Sequence, residues 1–306
     1  MLQKRLSAQL VGHERLIERL LIALLTGGHL LVEGPPGLAK TRAVKALADM
    51  VSVSFARIQC TPDLMPADLT GTPVYDARDA SFTFVRGPVF HNLVLVDEIN
   101  RAPPKVQSAL LEAMAERQVT AGNTTHALPD PFLVIATQNP IEHDGTFPLP
   151  EAQLDRFLMH VVLELPGLED ERRILELVEG ETRDGAATPA MAMSPEELGA
   201  ARAAVREVHL APELKDYIVR LVVATRDETL AGDIEHAASP RGSLALAAAA
   251  RARAYLEGRD YAVPDDVAAL AGDALAHRMG LSWRAVAEGK TARGVIATLL
   301  DRVEPL

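Results

Sequence analysis

Residues 33–42, EGPPGLAKTR, contain most of a phosphate-binding loop. Gly34, Lys40 and Thr41 fit the P-loop pattern G-x-x-x-x-G-K-[ST]. Ala39 stands where that pattern has its second glycine. In such a loop, backbone N–H groups at a helix start hold phosphate oxygens, the lysine reaches the β- and γ-phosphates, and the threonine ligates Mg²⁺. The strand-like segment before the loop and the helical pattern after it favour this interpretation over a turn with an incidental lysine.

Two adjacent carboxylates, Asp97 and Glu98, end the apolar run LVLV. At a strand end beside a P-loop, an acidic residue holds Mg²⁺ through water, and we assign that role to Asp97. Glu98 would orient and deprotonate the attacking water. A solvated acidic pair at a strand edge is the alternative, and the accompanying P-loop makes it the weaker one.

Three further polar residues extend the candidate site. Asn139 follows the apolar run FLVIATQ and could bond water or the γ-phosphate, although asparagine before proline is also a common turn residue. Arg156 precedes the last predicted strand, and Arg241 lies in the first turn of a predicted helix. Because a cation is unfavourable at a helix N-terminus, Arg241 suggests an anion nearby.

The composition excludes some classes of protein. The chain has 306 residues, 48% of them hydrophobic, and its 31 basic against 42 acidic residues give a net charge of −11. This acidic balance argues against a protein whose main task is to grip nucleic acid. The histidines and the single cysteine show no H-x-x-x-H or C-x-x-C spacing, so we predict no protein-bound transition metal.

The location of the protein is predicted from its N-terminus and its cysteine usage. The N-terminal segment has no cleavable signal pattern, and its longest apolar run, from Leu20 to Leu25, is too short to span a bilayer. Cys60 is the only cysteine, so no disulfide forms within the chain, which suits a reducing compartment. We therefore expect a cytoplasmic protein without a membrane span, in which Cys60 is a buried apolar side chain.

Alternating strand and helix patterns in the first half predict a parallel sheet covered by helices. The predicted strands are 29–33, 53–60, 92–98, 132–138 and 157–165. Between the second and third of them lies an insert at about 61–90. Two β-prone runs around DARDAS in this insert predict a hairpin whose charged tip projects from the core.

Only helical patterns follow the last predicted strand. One helix is predicted to begin after Ser194, which forms a capping box with Glu197, and another is predicted to begin at Ser239. We therefore divide the chain into an α/β domain, residues 1–166, and an all-α domain, residues 167–306.

With these residues in view, the chain resembles the MoxR family of AAA+ ATPases over nearly its whole length. The resemblance rests on EGPPGLAKT, VRGPVFHNLVLVDEINRAPPKVQSALLEAMAERQVT, VIATQNPIEHDGTFPLPEAQLDRF and ASPRGSLAL. The run DEINRAPPKVQSALLEAM is much more specific than a P-loop, and similar members commonly carry alanine at the position of Ala39. The implied fold is an α/β AAA+ P-loop core, with a five-stranded parallel sheet between helices, and an all-α lid.

The resemblance also implies that ATP and Mg²⁺ bind between the core and the lid. Asp97 and Glu98 would form Walker B, and Asn139 would be sensor 1. Thr41 and Asp97 would hold Mg²⁺, partly through water. The expected nucleotide contacts are Val11, Gly12, Gly34, Pro35, Pro36, Gly37, Leu38, Ala39, Lys40, Thr41, Arg42 and Asp97.

Similar proteins act as homo-oligomeric rings, usually hexamers. In such a ring, Arg241 would be sensor 2 for the nucleotide of its own subunit. Arg156 would be the arginine finger that reaches the neighbouring nucleotide, with Arg101 as its rival. The insert at 61–90 would point into the ring pore. The implied activity is chaperone-like remodelling of a client protein, and such partners often carry von Willebrand factor A (VWA) domains, which this chain lacks.

Three other functions remain open. The ATPase subunit of a metal chelatase would share every motif above. A nucleic-acid motor is disfavoured by the acidic charge. A scaffold that binds ATP with almost no turnover is disfavoured by the intact pair of Asp97 and Glu98.

Overall fold

The computed structural model describes residues 2–35, 37–38, 40–78, 80–121, 124–139, 145–184, 193–227, 230 and 232–305. The helices are α1 (Leu2–Gln9), α2 (Glu14–Thr26), α3 (Lys40–Met50), α4 (Pro66–Thr70), α5 (Pro104–Glu116), α6 (Glu151–Leu154), α7 (Leu168–Asp184), α8 (Pro195–Glu207), α9 (Pro212–Ala224), α10 (Pro240–Leu256), α11 (Pro264–Leu275), α12 (Trp283–Ala287) and α13 (Ala292–Arg302). The strands are β1 (Leu30–Glu33), β2 (Phe55–Gln59), β3 (Gly71–Asp76), β4 (Ser81–Arg86), β5 (Leu93–Asp97), β6 (Gln118–Ala121), β7 (Thr124–Ala127), β8 (Leu133–Gln138), β9 (Met159–Val162), β10 (Ile234–His236) and β11 (Gly280–Leu281). Across the described ranges, every helix is too short or too polar to cross a bilayer.

The five predicted core strands form one sheet in the order β2-β5-β8-β1-β9, which confirms the predicted α/β fold. The β2–β5 and β5–β8 ladders are parallel. Strand β5, LVLVD, is buried along its whole length, because a central parallel strand has covered faces on both sides. Since parallel strands end at the same sheet edge, the residues after β1, β5 and β8 are placed close together.

The insert contains the predicted hairpin. Strands β3 and β4 pair in antiparallel register from Gly71↔Arg86 to Asp76↔Ser81. The segments that enter and leave the hairpin approach each other closely at its base. A Cβ on Gly87 would lie 2.2 Å from the carbonyl oxygen of Leu69. The outer part carries exposed aromatic side chains, including Phe82, which is 72% exposed.

A second hairpin, β6–β7, was not predicted from the sequence. It pairs Gln118↔Ala127 through Ala121↔Thr124. The ring of His126 stacks on Phe84 of the insert hairpin with centroids 4.2 Å apart. This contact ties the two hairpins to each other.

The chain divides into two compact units. Unit 1 comprises Met1–Leu21, Leu31–Pro148 and Val162–Leu198, and unit 2 comprises Ile22–Leu30, Leu149–Val161 and Gly199–Leu306. Each unit therefore draws on separate stretches of sequence, and the proposed division at residue 166 stays a prediction.

The helix starts predicted from capping residues are confirmed. Ser194 and Glu197 form the reciprocal capping box before α8, with bonds of 2.7 and 3.2 Å. Ser239 caps α10 by accepting a bond from the N–H of Arg241 at 3.2 Å. The helical region also contains a short antiparallel ladder between β10 and β11, which the helical patterns did not predict.

Candidate nucleotide-binding site

The predicted phosphate-binding loop joins the end of β1 to the start of α3. Gly37 has φ +88°, a left-handed conformation that favours glycine. At Gly34 an added Cβ would lie 3.0 Å from the Cβ and carbonyl oxygen of Leu163, so the close approach of this segment favours glycine. Pro36 and Ala39, two of the expected nucleotide contacts, lie outside the described residues.

A cavity of about 420 Å³ opens over this loop and the carboxyl ends of the strands. It brings together most of the residues predicted from the P-loop, Walker B and sensor 1 motifs. Its lining consists of Gly34, Gly37, Leu38, Lys40, Thr41, Arg42, Arg57, Gln59, Asp97, Glu98, Thr137, Gln138 and Asn139. Pro35 is described but does not line this cavity.

Lys40 begins α3 and its ammonium group lies against the loop. Its Nζ donates a hydrogen bond to the carbonyl oxygen of Gly34 at 2.7 Å. Burial lowers the pKa of Lys40, and the nearby carboxylates Asp97 and Glu98 oppose that shift. A lysine among these carboxylates and backbone groups is suited to bind a phosphate.

Asp97 is a buried carboxylate with both oxygens bonded. Arg57 Nε donates to Oδ2 at 2.7 Å, and Thr137 Oγ1 donates to Oδ1 at 3.2 Å. Asp97 and the neighbouring Thr41 both line the cavity and present the oxygen ligands that Mg²⁺ prefers, so the residues fit this ion. Any Mg²⁺ bound there would compete with Arg57 for Asp97.

Glu98 follows β5 in a left-handed backbone conformation, with φ +57°. Its N–H donates to Thr137 Oγ1 at 3.0 Å. Its Oε2 accepts bonds from Gln59 Nε2 at 3.0 Å and Arg101 Nη1 at 3.2 Å. These contacts point the carboxylate toward β2 and the turn after β5, and they show Arg101 as a partner of Glu98 within one subunit.

Asn139 lies at the cavity, one residue beyond the end of β8. The adjacent carbonyl of Gln138 accepts a hydrogen bond from the N–H of Gly34 at 3.3 Å. This bond holds the phosphate-binding loop against β8 and brings Asn139 to the loop.

A second cavity of about 310 Å³ adjoins the loop on its other side. Its lining is mostly apolar and consists of Leu10, Val11, His13, Gly37, Leu38, Arg42, Leu165, Pro166, Glu171, Ile174, Leu177 and Val178. It shares Gly37, Leu38 and Arg42 with the first cavity. A ligand with an apolar planar group and a phosphate chain could therefore occupy both.

Helix α7 and the segment before α2 close this second cavity. Gly12, predicted with Val11 as a nucleotide contact, has φ +76° and packs so tightly on α7 that an added Cβ would lie 3.1 Å from Asp170 Cβ. Arg42 Nη1 donates to Glu181 Oε2 at 2.9 Å, which joins α3 to α7.

The predicted arginines Arg241 and Arg156 lie in unit 2, and their relation to the cavities stays a prediction. Arg241 Nη1 lies 3.7 Å from Asp155 Oδ2. Ser239 Oγ and Arg278 Nε also bond Asp155, at 3.0 and 2.9 Å from its carboxylate oxygens. The anion expected near Arg241 at this helix N-terminus is thus the carboxylate of Asp155. Arg156, the residue after Asp155, is exposed.

Cys60 plays no part in this chemistry. The prediction that it is buried is confirmed, since its side chain is 1% exposed. Burial raises the pKa of the Cys60 thiol to about 12, so it is not a nucleophile at neutral pH.

Sequence reasoning missed several residues of the two cavities, among them the polar residues Arg57, Gln59, Thr137 and His13. A usable signal existed for two of them. Arg57 and Gln59 alternate with apolar residues near the end of a predicted strand, so they share one face at the sheet edge where the acidic pair lies.

Comparison with known proteins shows the family to which the chain belongs. The model of the ATPase family associated with various cellular activities (AAA) matches residues 29–159, and an AAA lid domain model matches residues 226–299. Chaperone MoxR1 of Mycobacterium tuberculosis is 46% identical, with 96% of this chain and 78% of that protein covered. Protein MoxR of Methylorubrum extorquens is 34% identical, with 91% and 86% covered. A crystal structure of a Cytophaga hutchinsonii protein named as an ATPase superposes with a TM-score of 0.91 at 43% identity, and covers 99% of this chain and 93% of that one.

Proposed function

Because the chain belongs to the MoxR family of AAA+ ATPases, we propose that it hydrolyses ATP with Mg²⁺ and uses the reaction to remodel protein partners. The observation that carries this proposal is the pair of adjoining cavities around the phosphate-binding loop. One is apolar and fits a base, and the other is lined by a lysine, two carboxylates and an asparagine.

In this proposal the base lies against Val11 and Gly12, and the phosphates extend over the loop from Gly34 to Arg42. Lys40 exchanges its bond with the loop carbonyl for one with phosphate. Thr41 and Asp97 hold Mg²⁺, which when bound neutralises charge on the phosphates.

Glu98 is the proposed general base. To take a proton from the attacking water it has to leave Gln59 and Arg101, which now occupy its Oε2. Asn139 orients that water or the γ-phosphate. Arg241 would act on the nucleotide of its own subunit, and Arg156 on that of a neighbour.

The proposed active form is a homo-oligomeric ring, a hexamer, in the cytoplasm. The hairpin β3–β4 would project into its pore and meet the client. The exposed Tyr75 and Phe82, whose rings lie 5.2 Å apart, support a role of this hairpin in contact with other proteins. The protein that the ring remodels is proposed to carry a VWA domain.

Glu98→Gln tests the enzymatic part. The variant should bind ATP as the native protein does and lose about 10²–10⁴ in hydrolysis rate, the usual contribution of a general base. Glu116→Gln, at an exposed glutamate of α5 outside both cavities, is the matched control and should hydrolyse ATP normally. Normal turnover by Glu98→Gln would refute the role of Glu98.

The same variant tests the remodelling part. Glu98→Gln purified with ATP should retain its client, and mass spectrometry of the eluate should identify it beside this chain. Recovery of this chain alone, under conditions in which ATP is bound, would count against a remodelling function.

A further inference from the structure

Arg57 is a resident counter-ion of the carboxylate that would hold Mg²⁺. Its Nε donates to Asp97 Oδ2 at 2.7 Å, and Thr137 Oγ1 donates to the other carboxylate oxygen at 3.2 Å. The side chain of Asp97 is 12% exposed, whereas that of Arg57 is 52% exposed and lines the cavity. The carboxylate is therefore the anchored partner of this pair, and the guanidinium is the partner that has room to move.

The same guanidinium also orients the side-chain amide of Gln59. Arg57 Nη2 donates to Gln59 Oε1 at 3.4 Å, and Gln59 Nε2 donates to Glu98 Oε2 at 3.0 Å. Only the amide oxygen can accept from a guanidinium, and only the amide nitrogen can donate to a carboxylate. The two charged neighbours therefore select one orientation of this amide.

These contacts form one chain of hydrogen bonds from the proposed metal ligand to the proposed general base. Its members are, in order, Asp97, Arg57, Gln59 and Glu98. Arg57 and Gln59 are two residues apart on the edge strand β2, so their side chains share one face. The ladder with β5 places Gln59 opposite Asp97. A change at Asp97 can thus reach Glu98 through side chains alone.

Mg²⁺ and Arg57 would compete for Asp97. The guanidinium would meet the ion as a like charge beside one carboxylate, which disfavours the presence of both. Phosphate oxygens in the same cavity would offer the guanidinium another anion, which arginine binds well. Once Arg57 has left Asp97, Gln59 lacks the donor that orients its amide, and its bond to Glu98 weakens.

We propose that Arg57 couples the metal site to the general base: Mg²⁺ displaces it from Asp97, and its departure lets Gln59 release Glu98. The inference rests on the proposed function, since it requires ATP with Mg²⁺ in this cavity. It makes Arg57 a positioning residue and not a catalytic one. ATP that enters without the metal leaves Glu98 held by Gln59, and this hold is lost only in the complete substrate complex.

The affinity for the metal tests the exchange without any measurement of hydrolysis. Mn²⁺ serves as the probe, and electron paramagnetic resonance counts the free ion during a titration of the full-length protein, in excess over a non-hydrolysable ATP analogue. Arg57→Met removes the competing cation and should bind Mn²⁺ about 3–10-fold more tightly than the native protein. A residue that merely supported Asp97 would have the opposite effect, because its loss would disorder the ligand and weaken metal binding.

Arg57→Lys keeps a cation beside Asp97, so its Mn²⁺ affinity should stay closer to the native value than that of Arg57→Met. Arg206→Met, at an exposed arginine of α8 outside both cavities, is the matched control and should bind Mn²⁺ as the native protein does. Circular dichroism checks that each variant is folded. Arg57→Gln, which is polar and uncharged, carries the same test if Arg57→Met does not fold.

A double-mutant cycle tests the link from Arg57 to the base. Gln59→Ala should accelerate ATP hydrolysis less in Arg57→Met than in the native protein, because Gln59 has already lost its orienting partner there. The same acceleration with and without Arg57 would overturn the link.

Equal or weaker Mn²⁺ binding by folded Arg57→Met would likewise overturn the inference and leave the ATPase proposal standing. Failure of the native protein to bind the analogue with Mn²⁺ would instead overturn the proposed function and the inference with it.

Discussion

The release of Glu98 from its two partners is a step whose cost can be estimated. Gln59 Nε2 and Arg101 Nη1 both bond Glu98 Oε2, at 3.0 and 3.2 Å. Hydrogen bonds to charged groups contribute about 1.5–3 kcal/mol when protected from solvent, whereas exposed ion pairs contribute about 0–1 kcal/mol. The side chains of Arg101 and Glu98 are 39% and 28% exposed, so we assign about 1 kcal/mol to each contact.

Gln59→Ala should therefore accelerate ATP hydrolysis. If Glu98 has to leave Gln59 before it can act as a base, removal of about 1 kcal/mol from that step raises the rate about fivefold. The affinity for ATP should not change, because Gln59 bonds the catalytic carboxylate and not the phosphate-binding loop. Steady-state phosphate release without a partner, together with calorimetric ATP binding, measures both quantities. Gln118→Ala, at an exposed glutamine of β6, is the matched control and should behave as the native protein.

A fall in rate in Gln59→Ala, with ATP binding intact, would refute this reasoning and would make Gln59 a participant in the reaction. Arg101→Ala extends the test. If Arg101 only holds Glu98, its removal also raises the rate, by no more than about fivefold. A loss of about 10³–10⁵ would instead identify Arg101, in place of Arg156, as the arginine that acts on the neighbouring nucleotide.

Three further predictions concern stability. Arg278→Met should lower the free energy of unfolding by about 3–5 kcal/mol in urea titrations, because it removes a 3% exposed partner from Asp155; a loss below 1 kcal/mol would contradict this. Burial holds the pKa of His277 well below 6.5, so the unfolded chain takes up the proton first as the pH falls. The contribution of His277 to the free energy of unfolding should be constant above pH 6.5. Below pH 6.5 the free energy of unfolding should fall by up to about 1.4 kcal/mol per pH unit, until the pH reaches the pKa of His277 in the folded protein. His277→Gln should reduce this pH dependence in Tm measurements. Gly87→Ala places a Cβ 2.2 Å from Leu69 O and should lower the free energy of unfolding by more than about 1 kcal/mol. The insert should then be cleaved faster by proteases. Unchanged cleavage would show that the base of the hairpin can shift to admit the Cβ.

The features that the sequence predicted well are those encoded by neighbouring residues. The run LVLVD is apolar throughout, and a strand buried on both faces requires that pattern. The turn around DARDAS separates two β-prone runs and gives the hairpin β3–β4. Ser194 and Glu197 specify a helix start through bonds that span only three residues.

The features that were missed depend on pairing between distant segments. Gln59 meets Glu98 because β2 lies beside β5 in a register that sets Gln59 opposite Asp97. No local pattern contains that register. Within strands β6 and β7 only Val119 is buried, so these strands lack the apolar alternation that marks a half-buried strand. His13 stands in a short segment before α2, where its burial depends on packing against α7 and not on its neighbours in sequence.

Three of the charged groups that the proposed reaction needs already have partners within the chain. Lys40 bonds Gly34, Asp97 bonds Arg57, and Glu98 bonds Gln59 and Arg101. ATP with Mg²⁺ would therefore replace these hydrogen bonds and ion pairs. Each exchanged bond then adds little to the free energy of binding. A site of this kind favours slow turnover until another contact stabilises the rearranged side chains. A neighbouring subunit or a bound partner could supply that contact, and either should then raise the hydrolysis rate more than it raises the affinity for ATP.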